Sequence, residues 1–150
     1  MPPAEHPLRA LVNGDLAAWN GLPQGAGSAW VRDELGGELT DYGELLIWRG
    51  GVAGPEGVLV ELVGDDVELV ELPYPKLGLD AMKPLGEPEL ELATAWSRVG
   101  TQHAWPSRGL AVHANFDGIF RILAFAAIPP ADFPAHRFAT DGEPPQRRRR

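Results

Sequence analysis

The side chains best suited to chemistry in this 150-residue chain are four histidines, three serines and the closely spaced pair Glu89 and Glu91. His6, His103, His113 and His136 show no metal-ligand spacing such as i, i+4 on a helix, and no cysteine is present to complete a zinc or thiolate set. His103 and His113 converge if they lie on neighbouring strands, with Asp117 close by, a pairing better read as an ordinary surface feature than as a metal or catalytic site. Ser28, Ser97 and Ser107 lie in neither a G-x-S-x-G elbow nor an S-x-x-K context. A hydroxyl needs an adjacent base to become a nucleophile, and no motif supplies one. Gly25-Ala26-Gly27 and Gly50-Gly51 are too short and wrongly placed for a phosphate loop, which wants a strand before it and a lysine-bearing helix after it. Glu89 and Glu91 share one face of a strand and read as a solvated acidic stripe rather than an acid–base pair. The expectation is a protein that is not an enzyme and uses no metal or cofactor.

The aromatics point toward binding instead. Five tryptophans occur in the chain, a residue over-represented at binding hot spots. Trp19 and Trp30 fall on helical stripes and Trp96 on the apolar face of a strand, so all three are expected in the core. Trp48 and Trp105 lie near strand ends beside glycine or proline loops, with Tyr42 and Phe116 in loops or turns. Together with Asp65 and Asp66 they form the candidate partner-binding patch: Tyr42, Trp48, Asp65, Asp66, Trp105 and Phe116. Arg108 and Arg121 are expected to pair with some of the many carboxylates.

Charge narrows the choice of partner. The net charge is −8, but Arg147 to Arg150 contribute four positives, so residues 1–146 carry −12. Nucleic-acid binding relies on clustered cations, which this acidic body lacks; the terminal arginine run reads as a solvated tail. The body would steer instead toward a protein partner with a basic surface. The longest apolar stretch, 119–128, contains Arg121 and is too short to span a membrane. The first seven residues lack the basic start and apolar run of a secretory signal, so a cytoplasmic setting is expected.

These residues need elements to position them. A stripe of Leu8, Leu11, Val12, Leu16 and Trp19, interrupted at Asn13-Gly14, predicts one broken helix or two short ones. Ser28 is a plausible cap for a helix that Gly36-Gly37 stop. Strands are expected at 44–49, at 58–63 and 67–72 across Gly64-Asp65-Asp66, at 89–96, at 98–105, and at 110–114 and 119–127 across a turn at 115–118. The segment 67–72, with Glu68 and Glu71 on opposite faces, suggests an edge strand. The segment 119–127 is apolar on both faces apart from Arg121 and reads as central. A weak helix is expected at 77–82, a glycine-rich loop at 52–57, and at 132–138 a short segment that either packs or trails.

An echo organises the whole. Leu22-Pro23 and Leu35-Gly36 return as Leu72-Pro73 and Leu85-Gly86, each time at an offset of 50 residues. Residues 1–139 are therefore read as one α+β domain with an N-terminal helical segment. Its two half-repeats, about 21–71 and 72–128, are each a short helix before an antiparallel sheet, either separate or merged into one curved sheet. Residues 140–150 are read as a disordered tail.

Leu35-Gly36 and Leu85-Gly86-Glu87-Pro88, each ending a helix and leading into a sheet, make this unit similar to the repeat of beta-lactamase-inhibitor proteins. It also resembles the related lipoprotein modules of the outer-membrane assembly machinery. The likeness covers roughly residues 21–128, and its tandem spacing matches the duplicated inhibitor form better than the single module. The chain departs from both families in lacking a signal peptide, a lipobox and cysteines, and no functional residue is carried over. What the resemblance implies is a curved sheet whose exposed face holds a partner protein. The leading reading is an immunity or inhibitor protein that occludes a toxin or hydrolase. A small-molecule pocket lined by Trp96, His103, Trp105 and His113, and a structural subunit of an assembly, are the alternatives.

Overall fold

The computed structural model describes residues 6–35, 37–93 and 100–139. Helix α1 (Pro7–Val12) opens with a proline, whose missing N–H is needed by no one in a first turn. His6 Nδ1 accepts the Leu8 N–H at 3.1 Å and caps it. Leu8, Ala10 and Leu11 are its buried face. Gly14, at φ 97, lets the chain turn sharply into a 3₁₀ turn, Leu16–Ala18. The stripe read from the sequence is thus two short pieces rather than one bent helix. Helix α2 (Ser28–Leu35) follows.

The strands are β1 (Glu38–Asp41), β2 (Leu45–Gly50), β3 (Gly54–Val63), β4 (Asp66–Leu77), β5 (Leu90–Ala93), β6 (Thr101–Trp105), β7 (Leu110–Asn115) and β8 (Gly118–Ala124). They form a single antiparallel sheet in the order β1-β2-β3-β4-β8-β7-β6-β5. The protein is therefore α+β, with few helices and one large sheet. Strands β1 to β4 are consecutive neighbours, strands β5 to β8 likewise, and the two runs join where β4 pairs with β8.

The helical pieces lie on one face of this sheet. There Leu8, Leu11, Leu16, Trp19, Val31 and Leu35 pack on Leu46, Trp48, Val60, Val70, Val112 and Ile122. On the other face a smaller core gathers Leu69, Ala104, Ala111, Leu123 and Phe125 beneath Phe133 and Phe138 of the C-terminal segment. The 3₁₀ turn Pro130–Ala135 holds Phe133, so the short segment at 132–138 packs rather than trails. Phe125 stacks on Phe133 with centroids 5.8 Å apart, an arrangement aromatic rings favour.

Several sequence readings change. The strand expected at the sheet edge is β4, and it is central; Glu71 is tolerated there because Arg121 of β8 pairs with it. The strand 119–127 is central as read, ending at Ala124. The glycine-rich segment 52–57 is split between a 3₁₀ turn, Gly51–Ala53, and the start of β3. The helix expected at 77–82 is a 3₁₀ helix, Leu79–Leu85, displaced toward the proline it contains. Strand β1 went unread because Glu38-Leu39-Thr40-Asp41 carries a single half-buried residue.

The echo also divides differently in space. Leu22-Pro23 lies in the loop before α2, whereas Leu72-Pro73 lies inside β4, opposite Ile122 and Arg121. A boundary at residue 72 cuts that strand in two. Pro73 is accommodated because the β4–β8 register shifts just beyond it. Leu35 and Leu85 do each end a helical segment. Residues 94–99, with Trp96, and the tail 140–150 lie outside the described residues.

Candidate functional site

Antiparallel order fixes which loops share an end of the sheet. The β1–β2 turn (42–44) and the β3–β4 turn (64–65) emerge together at one end. The β2–β3 connection and the β7–β8 turn emerge at the other. Of the six residues proposed for a binding patch, Tyr42, Asp65 and Asp66 therefore come together, while Phe116, 77% exposed, stands at the opposite end. Trp48 and Trp105 are not surface groups at all, at 2% and 5% exposure. Both project from their strands onto the helix-covered face, and the Trp105 indole N–H donates to the Glu87 carbonyl at 3.1 Å. A strand-end position beside glycine or proline marked them as loop residues; the strand alternation turned them inward.

The first end is built rigidly. The Ser28 hydroxyl donates to Asp65 Oδ1 at 2.6 Å, and the Ser28 backbone N–H donates to the Asp65 carbonyl at 3.2 Å. The Val67 N–H donates to the Ala26 carbonyl at 2.8 Å, and Gly27 bridges to Asp66. Asp65 thus fastens the β3–β4 turn to the start of α2. The neighbouring turn is held by Asp41, whose Oδ1 accepts the Gly43 N–H at 2.8 Å and whose Oδ2 meets Arg32 at 3.4 Å. The Tyr42 N–H closes it onto the Leu45 carbonyl. The Leu62 N–H donates to the Glu44 carbonyl at 2.8 Å, tying the two turns side by side.

On this frame Tyr42 is 67% and Val63 60% exposed. Glu44, Asp65 and Asp66, at the same two connections, are also exposed. Large apolar groups displayed singly on a surface are ordinary; here Tyr42 lies in the β1–β2 turn and Val63 ends β3 at the same end of the sheet. Glu44 and Val63 were not singled out from the sequence. The cue available was that both flank turns whose tips were already candidates.

The histidines do not converge. The β6–β7 register sets Gln102 opposite His113 and His103 opposite Val112, so the two imidazoles point to opposite faces. His103 Nδ1 lies 3.9 Å from Glu91 on the adjacent strand. His113 is 2% exposed, its Nε2 3.0 Å from Gln102 Nε2, and Gln102 Nε2 also donates to the Phe138 carbonyl at 2.9 Å. A donating amide leaves His113 Nε2 as the acceptor and places the ring proton on Nδ1, which has no partner among the described residues. Burial, with smaller contributions from Arg121 and His103, pushes the His113 pKa down from 6.5 to about 4. The pocket expected from Trp96, His103, Trp105 and His113 is not assembled by its described members.

Other candidates are structural. Glu89, just before β5, accepts from the Ser107 N–H at 2.9 Å and hydroxyl at 2.6 Å, joining the entry to that strand to the turn after β6. Arg121 pairs with Glu71, while Arg108 donates to the Asn20 side chain at 3.1 Å rather than to a carboxylate. No group of three or more His, Cys, Asp or Glu is placed to hold a metal ion among the described residues. No described helix is long and apolar enough to cross a membrane. No family model matches the chain, and no curated protein or solved structure is significantly similar to it.

Proposed function

We propose that the chain is a protein-binding module that docks a basic partner through the turn end bearing Tyr42, Val63, Glu44, Asp65 and Asp66. The observation that carries this reading is the pair of exposed apolar side chains, Tyr42 in the β1–β2 turn and Val63 at the end of β3, beside a β3–β4 turn whose backbone is held by Ser28 of α2. Pre-organised anchors lose little freedom on association, and apolar groups at the centre of a contact dominate its energy. The surrounding carboxylates would steer a cationic surface and set the salt dependence of the on-rate. An immunity or inhibitor protein that occludes a partner's basic active-site rim is the most concrete form of this reading.

The test is capture of partners from host lysate by the tagged chain at low and moderate salt. Wild type is compared with Tyr42→Ala/Val63→Ser, with Asp66→Lys, and with Phe116→Ala at the far end. The expected result is one basic partner, weakened by salt, lost with the first two variants and kept by the third. A partner lost only with Phe116→Ala, or none captured, rejects the reading.

A further inference from the structure

Strands β3 and β4 pair from Val63↔Asp66 down to Leu59↔Glu71. Beyond that point β3 continues along β2, reaching Gly50↔Gly54, while β4 follows β8 through Pro73↔Arg121 to Leu77↔Ile119. A groove with a free volume of about 140 Å³ lies between the diverging strands, at the end of the sheet away from Tyr42. Its floor is apolar, formed by Val12, Val58 and Leu72. Its rim carries Glu56 from β3 and Lys76 from β4, both exposed. Neither has an ion-pair partner among the described residues, although they bear opposite charge.

The rim is also where the backbone departs from its ordinary range. Tyr74 and Lys76 have φ of 45° and 61°, and they are the described residues other than glycine with positive φ. Each follows a proline, Pro73 or Pro75, and each lines the groove. Non-glycine residues held in the left-handed region tend to mark ligand clamps, because the surrounding structure must sustain their strain. Here the alternation of prolines and left-handed residues brings Tyr74 and Lys76 to the same opening.

We propose that this groove binds one apolar α-amino acid, its side chain on the Val12–Val58–Leu72 floor, its ammonium at Glu56 and its carboxylate at Lys76. Size supports the choice: a cavity of about 150 Å³ accommodates benzene, so this groove takes one ring or branched aliphatic group. Drug-sized ligands occupy roughly 300–1,000 Å³ and are too large. Charge supports it as well, since two unpaired groups of opposite sign over an apolar floor complement a zwitterion with an apolar side chain. The prolines at 73 and 75 have no N–H to offer, which disfavours an added peptide strand as the occupant.

The experiment is calorimetric titration of the full chain with L-phenylalanine, L-leucine and N-acetyl-L-phenylalanine amide, in which both charges are blocked. Saturable binding of one equivalent of a free amino acid is expected, with the blocked amide weaker by about tenfold or more. Glu56→Gln and Lys76→Asn should each weaken phenylalanine by about tenfold. Lys76→Asn should do so with an unchanged or raised melting temperature, because asparagine tolerates the left-handed conformation. No binding at millimolar amino acid, equal binding of the blocked amide, or full binding by both rim variants would each overturn the proposal. Equal binding of the amide would identify the groove as the socket for a partner's apolar side chain.

Discussion

Arg121 of β8 reaches across the central strand pair to grip Glu71 of β4 with two hydrogen bonds, Nε to Oε2 at 2.8 Å and Nη2 to Oε1 at 3.2 Å. The contact sits where the two runs of strands meet, and the side chains are 32% and 19% exposed. A forked guanidinium–carboxylate pair is stronger than a single-point bridge, and partial burial limits screening by salt. Arg121→Ala is expected to destabilise the fold by about 1–2 kcal/mol, more than a surface bridge contributes. A double-mutant cycle with Glu71→Ala, read by urea unfolding, should return a coupling of about 1 kcal/mol.

His113 sets an acid limit on stability. Its folded pKa of about 4 lies below the unfolded 6.5, so between these values the unfolded chain binds the extra proton. Stability therefore rises with pH through that window, and on acidification the loss from this group is on the order of 3 kcal/mol. His113→Gln should flatten the profile of urea midpoint against pH between 4 and 6.5. Arg121→Ala removes a nearby positive charge and should move the His113 titration, followed by NMR, to higher pH.

Gly109 admits no side chain. It lies at φ 63, and an added Cβ would overlap the carbonyl oxygen of Phe125, whose N–H donates to the Gly109 carbonyl at 2.8 Å. The same carbonyl accepts the indole N–H of the fully buried Trp19 at 2.8 Å. Gly109→Ala is expected to destabilise by about 3 kcal/mol or more, through backbone strain and displacement of Phe125. Thermal unfolding followed by tryptophan fluorescence would show it.

Asp65 and Asp66 should separate. Asp65→Ala removes the carboxylate that accepts the Ser28 hydroxyl at the start of α2 and should lower stability by about 1 kcal/mol. Asp66→Ala removes only an exposed carboxylate and should stay within about 0.5 kcal/mol of wild type. Chemical denaturation of both variants checks the difference; equal effects would remove the fastening role assigned to the Asp65 carboxylate.

Alternation and turn signals made the sheet legible. Strand β5 was readable from its apolar alternation, and β7, β8 and the β3–β4 hairpin from short apolar runs bounded by strong turns. Residues 110–115 and 118–124 needed little beyond their own pattern and the Asn115 to Gly118 turn. The position of β4 was not readable, because Glu71 argues for an edge until Arg121, 50 residues away, is known to face it. The binding patch was half legible for a similar reason. Turn chemistry located Tyr42, Asp65 and Asp66, but sequence spacing cannot say which turns share an end, and strand order alone separates them from Phe116. Trp48 and Trp105 were misplaced because proximity to a loop was weighed above the parity of their strand positions. The Pro73–Lys76 segment gave a warning in its composition, two prolines inside a strand, without showing the groove beside it.

The strand order has a consequence for how the chain reaches this structure. Within each run of four, every pairing joins strands that are consecutive in sequence, so the entropy of closing those loops is small. The β4–β8 pairing alone among the strand pairs joins the two runs, and it must close some 50 residues at once. Folding speed falls as such distant pairings come to dominate, so this seam is the expected kinetic bottleneck. Weakening Glu71 or Arg121 should then slow refolding, whereas loosening the β1–β2 hairpin should chiefly hasten unfolding.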